Sequence, residues 1–589
     1  MFFIPRVFAM KLMSRRIPFL TLVVFMSLSD SAGLRAETLP GFRGSPWFEE
    51  QVREEWPADG IRVLANADGG VDPKKKTRLV IFATPNGNSI EQTLGCAKAE
   101  GADFRFDIQH VAAQVRKLRE ITPGENIVLA VTEAEVLSWP AWKRTRKDAP
   151  ATIRKLVDTI RDWVPGKDVR VSLACHSGGG SFLFGYFDGG ESIPDYVDRI
   201  VFLDANYSYS DADKHGDKLL GWLRGDQTRR LAVVAYDDRK IMLNGKPIIG
   251  PDGGTFRATD RMVARFSKDV KMTETTVGDF TNRTGIDGQI TFNVHANPKN
   301  QILHTALVGE MNGLLHGLTI PNDKAEWGTL GGPRAYAKLV QPAPGIPTRP
   351  KDAVGGAEFF RSLEKLKPAE RETAILREVS RGNIPDFLRG FRKVTIKSKD
   401  QSGREHTAVI EVMPDYLAVG SDEDFVRVPM TPMTAARIAD AFGCSLPTRK
   451  IVDELWKASS VKLEPKPLTK DRGLSSTFLE HHQLIEKQRE GNKLGEIVAG
   501  TKKDVVITNR LGEKANRVAI YGWHKTDGSP IQPLTIVHVN WYVDYSHGVR
   551  LVKRAVTVDG KPRDIRPALY SADLWPLLSD EGPITHPAY

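Results

Sequence analysis

The chain has 589 residues, 41% hydrophobic and 26% charged, with a formal net charge of +10. That length exceeds one ordinary core and predicts two or more domains, and that balance excludes a disordered chain and a multispanning membrane protein. Lys74-Lys75-Lys76 and Lys502-Lys503 are the densest basic runs beyond the N-terminus; without a basic stripe interleaved with aromatics, a solvated surface is the reading and nucleic-acid binding is not.

At the N-terminus, Arg6, Lys11, Arg15 and Arg16 precede the apolar stretch 17–28, followed by small and polar residues up to Ala36. Such a stretch matches a signal-peptide core and is too short for a membrane-spanning helix. Residues 1–36 are therefore expected to be a signal peptide, which gives an exported protein, periplasmic or extracellular, with no stable membrane span after cleavage. Cys96, Cys175 and Cys444 are the only cysteines. They form neither a disulfide framework nor a CxxC zinc pair, although one bridge among them fits the sequence.

From residue 60 onward, short apolar runs alternate with helical patterns. Strands are expected at 61–65, 78–83, 126–131, 169–175, 199–204, 230–236 and 289–294, with helices such as 107–120 and 151–163 between them. The runs are continuous rather than alternating, as in strands buried on both faces, so the fold class is α/β: a mostly parallel sheet with helices on both faces. The stretch 341–356, QPAPGIPTRPKDAVGG, reads as a linker between a first domain, 37–340, and a second, 357–589. The second half predicts helices at 358–366, 368–381, 431–442, 448–459 and 478–490. Its strands are expected at 394–398, 407–412, 505–508, 517–521 and 534–545, which makes an α+β domain.

Residues 171–182 read VSLACHSGGGSF. A loose glycine turn is one explanation. A strained strand-to-helix elbow presenting Ser177 is the other, and it needs small residues two positions before and after the serine. Cys175 and Gly179 stand there, cysteine replacing the usual glycine. No Lys-Ser/Thr follows the glycines, so this is no P-loop, and no GxGxxG marks a dinucleotide turn. Downstream, RLAVVAYDDRK places Asp237 and Asp238 at a strand end, and a loop before the helical stretch 306–315 carries His304. With elbow, acid and histidine in this order, residues 60–320 resemble the α/β-hydrolase fold superfamily.

The resemblance implies roles for these residues. Ser177 would be the nucleophile, His304 the general base and then acid, and Asp237 the orienting carboxylate, with Asp238 and then Asp204 as alternatives. Oxyanion donors are expected at Gly178 and in the turn Asn86-Gly87-Asn88, from Gly87 or Asn88. His176, His295 and His316 are expected to pack or cap. The substrate class is an ester, thioester or amide, small or polymeric, cleaved through an acyl-enzyme, with no cofactor and no resident metal. The opposing reading is a non-catalytic binding protein of the same fold whose second domain docks to an envelope or polysaccharide target, or hydrolyses it through a histidine-based metal site or Cys444.

The second half resembles exported bacterial domains without an assigned activity. His482 and Glu486 lie four apart on a helix, and His524, His538 and His547 follow on expected strands. They are candidates for a second, metal or acid–base site, against the ordinary reading of solvated or structural histidines. Alternation along 534–545 places His538, Tyr542 and Asp544 on one face and His547 on the other. Cys444, just before a helix, is a further candidate nucleophile.

Overall fold

The apolar runs of the first half become the middle of one 11-stranded sheet in the computed structural model, which describes residues 38–100, 103–164, 166, 168–321 and 327–589. The expected signal peptide lies outside the described residues. The strands are β1 Arg43–Gly44, β2 Gln51–Ala58, β3 Ile61–Ala67, β4 Lys76–Ala83, β5 Glu125–Ala134, β6 Val169–His176, β7 Val197–Leu203, β8 Arg230–Tyr236, β9 Thr273–Val277, β10 Phe280–Gly285 and β11 Ile290–His295. Their spatial order is β1-β2-β3-β5-β4-β6-β7-β8-β11-β10-β9. The central strands from β5 through β11 run parallel, and antiparallel strands close both edges.

Strand pleating distributes side chains between two cores, one on each face. Leu79, Ile81 and Ala83 of β4 join a core with Ile153, Leu156 and Ile160 of helix Ala149–Asp162. Val80 and Phe82 of the same strand enter the opposite core with Val111, Val115 and Leu118 of helix Val111–Ile121. Burial on both faces is why these strands are apolar throughout. Mixed α/β architecture with a mostly parallel sheet is thus what the chain has.

The second half supplies strands Arg392–Lys399, Glu405–Val412, Ala555–Val558 and Lys561–Asp564 to one sheet, and Lys503–Val505, Ile520–His524, Pro530–Thr535 and His547–Gly548 to another. Helices Pro432–Ala441, Arg449–Ala458 and Ser475–Arg489 accompany them. The expected strand over 534–545 ends at Thr535, and turns follow. Residues 337–589 contain the stretch 341–355, which runs without helix or strand until helix Gly356–Leu363.

Residues 37–589 cluster as one compact unit. Buried and half-buried ion pairs tie β1, β2 and helix Ile90–Leu94 to the C-terminal part: Arg566 to Glu54 at 2.8 Å, Arg554 to Glu91 at 2.6 Å, and Arg43 to Asp440. Arg62 contributes to the same network, pairing with both Glu54 and Glu91. No helix among the described residues is long and apolar enough to cross a membrane.

Candidate active site

Strand β6 ends at His176 and the chain turns directly into helix Gly180–Asp188, with Ser177 at the turn in a left-handed conformation, φ 52°. A non-glycine residue in that region is held only by surrounding structure. Packing explains the three glycines. A Cβ on Gly178 would stand closer than 3.0 Å to the Asn86 side chain, one on Gly179 to the Ala83 carbonyl, and one on Gly180 to the Ala205 carbonyl. Cys175 is fully buried, its sulfur 3.8 Å from the Val201 carbonyl, and burial pushes its thiol well above the ordinary range. It is a small packing residue, not a reactive thiol.

His304 arrives from the loop after β11 and meets the elbow through the residue before the serine. The His176 ring lies 4.5 Å from that of His304, and His176 Nε2–H donates to the His304 carbonyl at 3.0 Å. Burial and the neighbouring His304 hold His176 neutral, well below the usual imidazole range. The His176 ring therefore packs, as expected, but it packs on the other histidine.

The carboxylate at His304 Nδ1 is Asp204, at the end of β7. This corrects the first choice, Asp237: that side chain is turned to Arg239 at 2.7 Å, and Asn297 Nδ2 donates to its backbone carbonyl. Asp238 also does not reach His304. Its Oδ2 accepts the Thr255 N–H at 2.8 Å, at the start of helix Thr255–Phe266. Asp204 is itself in the left-handed region, φ 46°, and only 2% exposed.

The oxyanion turn also differs from expectation. Gly87 N–H donates to the Leu137 carbonyl at 2.7 Å and Asn88 N–H to the Pro85 carbonyl at 3.4 Å, so both backbone donors are engaged within the fold. The Asn86 side-chain amide is set against Gly178. Asn86 and Gly178 line, with Ser177, Ser181, Pro140, Tyr207 and Ser208, a cavity of about 360 Å³. Tyr207, whose hydroxyl lies beside that of Ser177, and Asn86 itself were not singled out from the sequence. Tyr207 follows the strand end that carries Asp204, so the choice of that aspartate would have drawn attention to it.

His316 and His295 pack within the fold, as expected. His316 Nε2 meets Asn293 Oδ1 at 2.9 Å and is pushed down to about 4 by burial, while His295 Nδ1 accepts the Asn297 N–H at 2.9 Å.

The second-site candidates do not converge. His482 and Glu486 both meet Arg427, at 3.2 and 2.7 Å. His524 pairs with Asp453 at 3.0 Å. His538 stacks on Tyr542 with ring centroids 4.5 Å apart, and Tyr542 meets the buried His547 edge-on at 5.8 Å, because the turns after Thr535 undo the expected alternation. Among the described residues, no group of three or more His, Cys, Asp or Glu side chains could hold a metal ion. Cys444 is fully buried in strand Cys444–Ser445, and burial pushes its thiol up to about 12, the opposite of an activated nucleophile. All three cysteines are free and buried.

No family model matches the chain, and no curated protein matches its sequence. Among solved structures, a feruloyl esterase module from Clostridium thermocellum is 10% identical, covering 34% of this chain and 75% of that one, with a TM-score of 0.24. A poly(aspartic acid) hydrolase from Sphingomonas sp. KT-1 is 13% identical over 38% of this chain and 86% of its own, TM-score 0.25. A predicted CIB-like hydrolase from Thermoplasma acidophilum is 8% identical over 45% of this chain and 94% of its own, TM-score 0.25.

Proposed function

We propose that the chain is an exported serine hydrolase that cleaves an ester, thioester or amide through an acyl-enzyme on Ser177. The observation that carries the reading is the strained Ser177 elbow, φ 52°, whose preceding residue His176 packs on His304, the histidine with its Nδ1 held by the buried carboxylate Asp204. A serine hydroxyl is a weak nucleophile until an imidazole takes its proton, and the imidazole needs a carboxylate to fix its tautomer.

In this reading, Ser177 Oγ bonds to the substrate carbonyl carbon as its proton passes to His304 Nε2. Asp204 accepts the Nδ1–H throughout and stabilises the imidazolium. The developing oxyanion is received by the Gly178 N–H and the Asn86 amide. His304 then gives its proton to the leaving oxygen, sulfur or nitrogen as the carbonyl re-forms. Water, deprotonated by the same imidazole, releases the acid and restores Ser177. Residues 357–589 are an accessory domain, and the signal-peptide reading of residues 1–36 supplies the exported location.

A fluorophosphonate probe tests this. Covalent labelling of the folded protein that disappears in Ser177→Ala is expected. A well-folded protein that takes up no label overturns the reading.

A further inference from the structure

Two buried carboxylates, not one, stand behind His304. Asp204 and Asp238 end adjacent parallel strands, β7 and β8, and each is only 2% exposed. Thr255, fully buried, lies between them. Its hydroxyl donates to Asp204 Oδ1 and stands 3.4 Å from Asp238 Oδ2, while its N–H donates to that same Oδ2. Gly254, at φ 89°, leaves the room: a Cβ there would stand closer than 3.0 Å to the Asp238 carboxylate.

A hydroxyl carries one proton. Given to Asp204, it leaves Asp238 with the Thr255 N–H on one oxygen and no side-chain partner on the other, Oδ1. Such a carboxylate is costly as an anion.

We propose that Asp238 is a positioning residue of the triad, acting through Thr255 on Asp204, so that the pair of carboxylates sets the basicity of His304. The proposal rests on the reading of Ser177 and His304 as nucleophile and base. Ionised, Asp238 places a second negative charge behind Asp204 and favours the imidazolium. Protonated, it removes that charge.

Burial, opposed by the Thr255 and Phe256 N–H groups and reinforced by Asp204, pushes Asp238 up to about 6, so the exchange falls in the range where a catalytic histidine works. The groups facing Asp238 are Asp204 with His304 beyond it, Tyr207 in the loop after β7, Tyr236 on β8, and Arg239 on its own loop. The tyrosines are neutral in this range, since burial raises both. Arg239 is engaged by Asp237, which leaves Asp204, with His304 beyond it, as the charged side chain that Asp238 faces. On this proposal Asp238 and the catalytic base both exchange protons across the acid limb, which spreads it.

The same contact also serves helix Thr255–Phe266, whose first N–H is satisfied by Asp238, and the test must separate the two roles. The rate of fluorophosphonate labelling is followed against pH. In the unaltered protein the acid limb is expected to be broader than a one-proton curve. In Asp238→Asn, which keeps an oxygen acceptor for the Thr255 N–H, it should narrow to one proton and move to lower pH by about half a unit, with a plateau about twofold to fivefold lower. Thr255→Val should lower the rate in the unaltered background and have less effect in Asp238→Asn, as for residues acting together. An Asp238→Asn profile identical in shape and midpoint, with only stability changed, reduces Asp238 to a helix cap and overturns the proposal. Should Asp238→Asn fail to fold, a one-proton limb in the unaltered protein overturns it equally. Absence of labelling at every pH sinks the reading of Ser177 itself, which distinguishes the two failures.

Discussion

Asp204 accepts the Nδ1–H of His304, while Asp237, at the end of the next strand, is held by Arg239 at 2.7 Å. The sequence ranks Asp237 ahead of Asp204, and the hydrogen bond to His304 reverses that order. Asp204→Asn would present an amide where the imidazole needs an acceptor, favouring the wrong tautomer. The labelling rate is expected to fall by about 10⁴, the scale of an equivalent change in a Ser-His-Asp triad. Asp237→Asn should stay within about threefold, because it loses only a surface pair with a half-exposed arginine. A comparison of the two rates at pH 8 decides it, and a larger loss in Asp237→Asn reverses the assignment.

Asn86 is the second candidate oxyanion donor, because Gly87 and Asn88 spend their N–H groups on Leu137 and Pro85. Asn86→Ala removes an exposed amide that borders the cavity and should leave the fold intact. The rate of acyl transfer to a chromogenic ester is expected to fall by about 10²–10³, mainly in kcat, since the donor acts where charge develops. An effect confined to KM would make Asn86 a substrate contact instead.

The central strands were legible because burial on both faces leaves an unbroken apolar run, and the elbow was legible because a tight turn restricts its neighbours to small residues. What the sequence hid lay at edges and between elements. β2 reads QVREEWPA, with charged residues on a half-buried strand next to the edge, and β9 is a fully exposed polar edge, TETTV. Three aspartates end two neighbouring strands, and only the path of the His304 loop selects among them. Asn86 carries no motif of its own: the turn was visible, but which of its amides stay free depends on Leu137, fifty residues downstream in sequence and adjacent in space.

The glycines of the elbow differ in what they tolerate. Gly180 has an ordinary helical conformation, φ −57°, so alanine there meets no backbone penalty. The obstacle is the Ala205 carbonyl, main chain that cannot rotate away. Gly180→Ala is expected to destabilise by about 1–3 kcal/mol through overpacking, and to lower labelling because Ala205 adjoins Asp204. Urea denaturation and labelling measured on the same preparation check both effects. Unchanged stability would mean that the elbow has slack that its packing does not show.

Glu133 on β5 is buried beside the ion network that joins β1, β2 and helix Ile90–Leu94 to the C-terminal part. Its Oε2 accepts the Ile90 N–H at 2.6 Å and lies 3.6 Å from Arg62, which is already engaged by Glu54 and Glu91. Burial, only partly offset by Arg62 and reinforced by Glu91, pushes Glu133 up to about 7. A carboxylate raised in the folded state binds its proton more tightly there than in the unfolded chain, near 4.3, so stability falls as pH rises from about 4 to 7. Glu133→Gln keeps an acceptor for Ile90 and removes the charge. It should be nearly neutral at pH 4 and stabilising at pH 8 by about 1–3 kcal/mol. Denaturation curves at the two pH values test the sign: a variant less stable at pH 8 than at pH 4, relative to the unaltered protein, would show that Arg62 depends on Glu133 for its charge balance.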